Sequence, residues 1–240
     1  MKSWFYAGLI LVLSSTGWGL QLSEIRSSVR LRIRDATTDT NNQRFSNSQL
    51  NDIINEGQRD VINKTWLLTA TTFFGLTLGI TEYNMPDDFL APIRVTVSSR
   101  TIAETSYNGL DQDSTDWTVR TATPTSYYLN HNRTQDQVYM GFVPKPSTTS
   151  VNSVFIFYAR EAPTMTSDTN EPFDGKEVYN QHHETLVDYT TGICWLIQGR
   201  HDLAKLYMEL YTNRTEFLRR NAALMPNFNP ALRGDRGPRQ

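Results

Sequence analysis

The sequence predicts an α+β protein in which helices from the two ends of the chain form a four-helix bundle around a central β-rich insertion. Near both ends, apolar residues recur at spacings of three and four, as on one face of a helix. Between residues 82 and 163, short runs of β-branched and aromatic residues alternate with Pro, Asn, Asp and Gly, which is typical of antiparallel strands joined by turns. The expected divisions are 1–20 (hydrophobic segment), 21–68 (N-terminal helices), 69–163 (central antiparallel β-rich domain), 173–220 (C-terminal helices) and 221–240 (extended tail).

Two helices are expected before the β-rich region. The first runs from Leu22 to Arg34, with Ser23 as its cap and with Leu22, Ile25, Val29 and Ile33 on its buried face. The second begins at Ser46 and ends near Thr65, and Phe45 and Leu50 flank its start as a hydrophobic staple. Gly57 weakens this helix by roughly 1 kcal/mol relative to alanine, so we expect another element to pack closely there.

The β-rich region is expected to begin with a strand between Trp66 and Ile80, where Thr alternates with apolar residues. Leu110 to Asp113 belongs to a turn-rich part of it, and Val154 to Tyr158 is its last strand. The following segment, from Ala162 to Pro172, is rich in Thr, Ser and Asp. We expect it to be a loop that becomes ordered only on contact with another subunit.

A helical pattern returns from Gly175 to Gln198 and ends near Gly199, and a last helix begins at His201. From Asn221 onward, prolines, glycines and arginines replace the apolar stripe. A segment of this composition does not fold on its own.

Composition excludes several classes of protein. The net charge of −2 gives the chain no overall attraction to nucleic acid. The single cysteine, Cys194, excludes an intramolecular disulfide framework and a zinc site built from several cysteines. Its apolar neighbours indicate a buried core residue.

No catalytic residue, metal site or cofactor is expected. The only cluster of metal-ligand residue types is His182, His183, Glu184, Asp188 and His201, and the two pairs of His with Asp188 are five and six residues apart rather than four. Asp111, Asp113 and Asp116 are more typical of a solvated turn than of a calcium loop. A glycan hydrolase that uses Glu82, Asp87 and Asp88 is a weaker option, because an exposed turn explains these carboxylates more simply.

The first twenty residues have the three-part layout of a secretory signal peptide, with Lys2, an apolar core from Trp4 to Leu13, and small residues after it. The core is too short for a typical membrane span. Two other interpretations stay open: a start codon placed too far upstream, or a hydrophobic arm that packs against a neighbouring subunit.

An ordered series of motifs runs through the chain. Its members are Met85-Pro86-Asp87-Asp88-Phe89-Leu90, Leu110-Asp111 with Asp113 and Trp117, Pro124 with Tyr127-Tyr128, Val138-Tyr139 with Val143-Pro144-Lys145-Pro146, and Phe155 to Tyr158. The helical segments Phe45 to Asp60 and Asp202 to Tyr211 add to it. From Leu22 to Leu218, this series resembles the head-to-tail connector, or portal adaptor, proteins of tailed bacteriophages.

The resemblance implies a non-enzymatic virion protein, assembled in the host cytoplasm. Its copies would form a ring, by resemblance a dodecamer, between the portal protein and a tail tube or nozzle protein. The ring would surround the DNA exit channel, touch passing double-stranded DNA transiently, and have no stable membrane association. In this family an extended C-terminal tail docks on the portal, and the candidate residues here are Phe228, Pro230, Leu232, Arg233, Arg236 and Arg239.

A second group of basic residues lies on the first predicted helix: Arg26, Arg30, Arg32 and Arg34. Four arginines against one acid, Glu24, are expected to face a channel lumen or an acidic partner. A solvated helix face is the alternative.

A secreted or periplasmic β-rich binding protein, delivered by residues 1 to 19, is the rival function. It accounts better for the N-terminus and less well for the helices on both sides of the β-rich region.

Overall fold

The computed structural model describes residues 19–35, 43–113, 116–132 and 137–223. These parts contain the helices α1 (Leu22–Arg32), α2 (Asn47–Thr65), α3 (Tyr107–Asp113), α4 (Glu184–Ile197) and α5 (His201–Ala223). Two 3₁₀ turns, Pro172–Gly175 and Glu177–His182, precede α4. The helix predicted from Gly175 to Gln198 therefore begins only at Glu184. Residues 1–18 of the predicted hydrophobic segment and residues 224–240 of the predicted extended tail lie outside the described residues.

Ten strands occupy the middle of the chain: β1 (Thr69–Leu76), β2 (Glu82–Asn84), β3 (Phe89–Val97), β4 (Arg100–Thr101), β5 (Ala103–Glu104), β6 (Thr121–Ala122), β7 (Ser126–Asn132), β8 (Gln137–Val143), β9 (Lys145–Pro146) and β10 (Ser150–Arg160). One sheet has the order β1-β10-β3-β4, a second has β2-β8-β7-β5, and β6 pairs with β9. The predicted antiparallel pairing holds for the long strands, whereas the short pairs β5/β7 and β6/β9 are parallel.

Two main hydrophobic cores support this arrangement. The first lies among α1, α2, α4 and α5, and it includes Leu22, Ile25, Val29 and Ile33, all fully buried as predicted. The second lies between the two four-stranded sheets and is built around residues such as Met140, Phe142 and Ile156. Burial of these apolar side chains is the main favourable contribution to folding.

The prediction of a four-helix bundle is wrong. The protein is a mixed α/β structure with five α-helices and three sheets in its described parts, so only the broad α+β class agrees. The sequence pattern missed α3, which buries Leu110 but has no periodic apolar stripe. Non-helical residues, including Leu67, Met165 and Phe173, also complete the core on which the helices pack. The division into domains stays a prediction.

Several helix ends follow local chemistry. Ser46 caps α2 as predicted, with its hydroxyl accepting the Gln49 N–H at 3.1 Å and the Gln49 side chain accepting the Ser46 N–H at 2.8 Å. The cap of α1 is Gln21 rather than Ser23, because the Glu24 carboxylate reaches back to the Gln21 N–H at 2.8 Å. Gly199 has φ +73°, a left-handed conformation that lets the chain turn from α4 into α5.

The loop from Ala162 to Pro172 is ordered within the subunit, which corrects the expectation that it requires a neighbour. The Asn55 side chain accepts the Met165 N–H at 2.8 Å and donates to the Met165 carbonyl at 3.0 Å. Gln58 makes a similar pair of bonds, donating to the Pro163 carbonyl and accepting the Phe173 N–H. These amides satisfy backbone groups that would otherwise be unpaired, so α2 holds the loop in place.

Among the described residues, no helix is both long and apolar enough to cross a membrane.

Candidate interaction surfaces

The four arginines predicted on α1 have different environments. Arg26 is only 6 % exposed and donates to Asn51 on α2 at 2.8 Å and to Asp168 at 2.6 Å. Arg30 is 7 % exposed and donates to Asp35, to the Phe45 carbonyl and to Asn47, each at 2.9 Å. Both guanidinium groups therefore join α1 to neighbouring segments of the same chain.

Arg32 belongs to an ion-pair network centred on Asp188. Its two terminal nitrogens lie 2.5 Å from Asp188 and 2.5 Å from Glu184, and Arg214 of α5 contacts the other Asp188 oxygen at 2.8 Å. Burial raises the pKa of the Asp188 carboxyl, an effect that the charges of Arg214 and Arg32 oppose. The network connects α1, α4 and α5.

Arg34 differs from the other three arginines because its side chain is exposed. It follows α1 with φ +56° and has no ion-pair partner among the described residues. A role for the α1 arginines in a channel stays a prediction. The structure gives three of them partners within the subunit.

The residues predicted to dock on the portal, from Phe228 to Arg239, lie outside the described residues. The helix that leads to them, α5, is described to Ala223. Their role also stays a prediction.

The exposed apolar side chains can be divided by their position in the chain into a helical group and a β group. The helical group consists of Leu31, Leu196, Ile197, Leu206, Leu210 and Phe217. The β group consists of Phe73, Leu78, Ile80, Val119 and Val151. The α5 residues Leu206, Leu210 and Phe217 recur at the spacing of an apolar helix face, which predicts that they are buried, yet all three are exposed. Periodicity identifies an apolar face but not whether the same chain covers it.

The histidine and cysteine candidates occupy structural positions. His183 is fully buried, and its Nδ1 accepts the Leu20 N–H at 2.8 Å. Burial lowers the pKa of His183 to about 4 and raises the pKa of the buried Cys194 thiol to about 12. In the described part of the chain, no three His, Cys, Asp or Glu residues are placed to hold a metal ion.

The carboxylates considered for glycan hydrolysis also have structural partners. Glu82 accepts hydrogen bonds from Tyr107 at 3.3 Å, Tyr128 at 3.1 Å and Asn130 at 3.1 Å. Asp88 accepts the Tyr158 hydroxyl at 3.0 Å, and Asp87 is exposed. Glu82 thus connects β2 to α3 and β7, and Asp88 connects the turn before β3 to β10.

The family model of the SU10 adaptor protein matches residues 20–232, which include every helix and strand described above. No curated protein sequence matches the chain. That family consists of structural adaptors of phage virions, typically without enzymatic activity, which interact with other head and tail proteins. The chain therefore belongs to the SU10 adaptor protein family of phage head-tail adaptors.

Proposed function

We propose that the protein joins the portal to the tail of a phage particle as a closed ring of identical subunits, a dodecamer, through which the DNA leaves the head. The observation that carries the proposal is the family match, which extends across both the helices and the sheets. The ring would contact the portal protein on one side and a tail tube or nozzle protein on the other. Passing DNA would meet it only through weak, salt-screened contacts.

The two groups of exposed apolar side chains support a ring. A head-to-tail contact between neighbouring subunits uses two different surfaces on each copy, and it closes into a ring when the rotation permits. The helical group and the β group lie on different parts of the chain, and each would contribute to one of these two surfaces. A contiguous exposed apolar patch is typical of a protein–protein contact.

The C-terminal tail is the segment proposed to dock on the portal. It follows α5 directly and combines the apolar Phe228 and Leu232 with three arginines. Its composition favours a segment that becomes ordered on binding.

Deletion of residues 224–240 tests the docking role. The truncation begins after Ala223 so that α5 is left whole. We expect unchanged circular dichroism and thermal unfolding, together with loss of co-sedimentation with purified portal rings. A full-length variant with Arg233, Arg236 and Arg239 changed to Gln, tested in the same co-sedimentation experiment, separates the contribution of the tail's charges to docking from that of its apolar residues. Normal docking by the truncated protein would contradict the assignment.

Mass spectrometry of purified virions tests the location and the rival secreted function. We expect the protein together with portal and tail proteins, with residues 1–20 retained as an assembly arm. A chain that begins near Leu20 or Gln21 in the periplasm or medium, without phage proteins, would instead support the secreted binding protein.

A further inference from the structure

A concave surface with a strongly basic lining lies where α1 ends and where α4 turns into α5. It encloses about 620 Å³. Its polar lining residues are Arg32, Arg34, Arg44, Trp195, Gln198 and Arg200, with Tyr207 at its side. No Asp or Glu belongs to this lining, so among the described residues the surface presents an excess of positive charge.

The arginines of this basic concavity differ in how far they are already neutralised. Arg32 is paired with Glu184 and Asp188, so its charge is compensated. Arg34 and Arg44 are exposed and have no ion pair with any described residue. Arg200 is paired only loosely, with its Nε 3.6 Å from Asp202. Within the described residues, no acidic side chain therefore compensates the charges of Arg34 and Arg44.

Two further hydrogen-bond donors line the same surface. Arg44 Nη1 donates to Gln198 Oε1 at 2.8 Å. The buried Nε2 of the same Gln198 amide has no acceptor among the described residues. The Trp195 Nε1–H is also buried without an acceptor there, and the Arg200 guanidinium lies 5.8 Å over its ring. Buried polar groups without partners are uncommon in folded proteins because they lose their bonds to water. Both of these groups are donors, so a ligand that binds here through them must supply an acceptor.

We infer that the basic concavity binds carboxylate side chains of an acidic segment from another protein of the virion. This identification of the partner as a virion protein rests on the proposed function, although binding itself does not. Arginine forks pair with carboxylates through two parallel hydrogen bonds, and a glutamate side chain is slender enough to enter the concavity. To reach the indole and amide donors, such a carboxylate would have to displace the exposed Arg200 and Arg44 side chains.

Duplex DNA is a poorer fit to the same donors. The phosphates of a DNA duplex lie on its convex outer surface, and proteins that bind the duplex distribute their basic residues along the phosphate backbone. Here the cations surround one recess, and two of the donors are buried beneath them.

Binding of a fluorescein-labelled peptide with consecutive glutamates to the isolated full-length protein tests the inference. We expect saturable binding, and an affinity lower by about tenfold or more for the double variant Arg34→Gln and Arg44→Gln. The matched control, Arg59→Gln with Arg100→Gln, removes the same charge from exposed arginines of α2 and β4 and is expected to bind like the unmodified protein. Thermal unfolding establishes that both variants are folded.

Three results would overturn the inference: no binding of the glutamate peptide, equal binding of its glutamine counterpart, or an equal loss in both double variants. A short DNA duplex could also bind more tightly than the peptide at the same salt concentration, with that binding lost in Arg34→Gln/Arg44→Gln. This result would show that the ligand is DNA and not an acidic segment.

Nuclear magnetic resonance of the Trp195 indole N–H locates the bound ligand. The Trp195 signal is identified as the one that is missing from the spectrum of the variant Trp195→Phe. A carboxylate that accepts this N–H moves the signal in a nitrogen-15 correlation spectrum during titration with the peptide. Binding that leaves this signal in place would refute the assigned site. Because these experiments use isolated subunits, they succeed or fail independently of virion mass spectrometry and portal docking.

Discussion

At the scale of single residues, Gly57 explains how α2 approaches α4. A Cβ atom added to Gly57 would lie 2.6 Å from Cδ1 of Tyr189, whose ring packs against Tyr211 at 5.1 Å. This confirms the close packing predicted from a glycine inside a helix. The helical propensity lost at Gly57 is therefore the cost of a close contact between helices.

We expect Gly57→Ala to destabilise the protein by about 1 to 3 kcal/mol, because overpacking outweighs the gain of roughly 1 kcal/mol in helix propensity. Urea unfolding measures the change. The control is Gly109→Ala in α3, where an added Cβ would come no closer than 3.4 Å to another side chain. Equal effects of the two substitutions would show that Tyr189 moves aside without cost.

His183 is a second residue whose environment has a measurable consequence. It is fully buried beside Phe173, and burial lowers its pKa to about 4. Since the histidine side chain has a pKa of about 6.5 in the unfolded state, protonation of His183 favours unfolding. The stabilisation from neutral His183 is thus complete above pH 6.5 or so and is lost as the pH falls toward 4.

The free energy of unfolding is expected to fall by up to about 3 kcal/mol over this pH range because of His183. The variant His183→Asn keeps an acceptor for the Leu20 N–H but does not titrate. Its unfolding free energy, measured by urea denaturation, should depend less steeply on pH between 4 and 6.5. The same slope in both proteins would contradict a depressed histidine pKa.

At the scale of elements, α2 organises the segments that precede α4. Its amides Asn55 and Gln58 hold the loop of residues 162–172 through backbone hydrogen bonds, while Asp168 in that loop pairs with Arg26 of α1. A segment without secondary structure is thus fixed by polar contacts to two helices.

Removal of one amide tests this arrangement. We expect Asn55→Ala to cost about 2 to 4 kcal/mol, because the Met165 N–H and carbonyl lose their partners in a buried site. Hydrogen exchange of the Met165 amide should accelerate before global unfolding does. Asp52→Ala, an exposed change one turn earlier on α2, serves as the control and should leave the exchange unchanged.

At the scale of the whole molecule, the exposed apolar side chains of α5 have no covering element within the described residues. Leu206 is 50 % exposed, Leu210 is 38 % exposed and Phe217 is 59 % exposed. Their spacing of four and seven places them along one face of α5. In the proposed ring, this face meets a neighbouring subunit.

The double variant Leu206→Glu and Leu210→Glu is expected to prevent ring assembly and leave the subunit folded, because it places charges in an apolar contact. Analytical ultracentrifugation and circular dichroism measure the two properties on full-length protein mixed with portal. Thr212→Glu, an exposed change elsewhere on α5, is the control. Rings of normal size from the double variant would exclude this face from the contact.

Much of the local structure was predictable because its causes are local. The cap at Ser46, the end at Gly199 and the buried face of α1 depend on residues within a few positions of one another. The four-helix bundle was a wrong prediction for the opposite reason. Apolar periodicity indicates which face is buried, but Met165 and Phe173, far along the chain, also cover the helices.

The sequence alone determined the broad α+β class, the approximate bounds of α1 and α2, and the phage adaptor family, because these depend on residue order and short-range spacing. The tertiary structure decided which charged residues pair with each other within the subunit. Arg26 and Arg32 looked equivalent to Arg34 on a helical surface, yet they pair with Asp168 and Asp188, more than a hundred residues away. Such a pairing depends on the tertiary fold, which brings distant parts of the chain together. The strength of a buried charge pair is set by the distance between the charges and by their burial, not by their separation in the sequence.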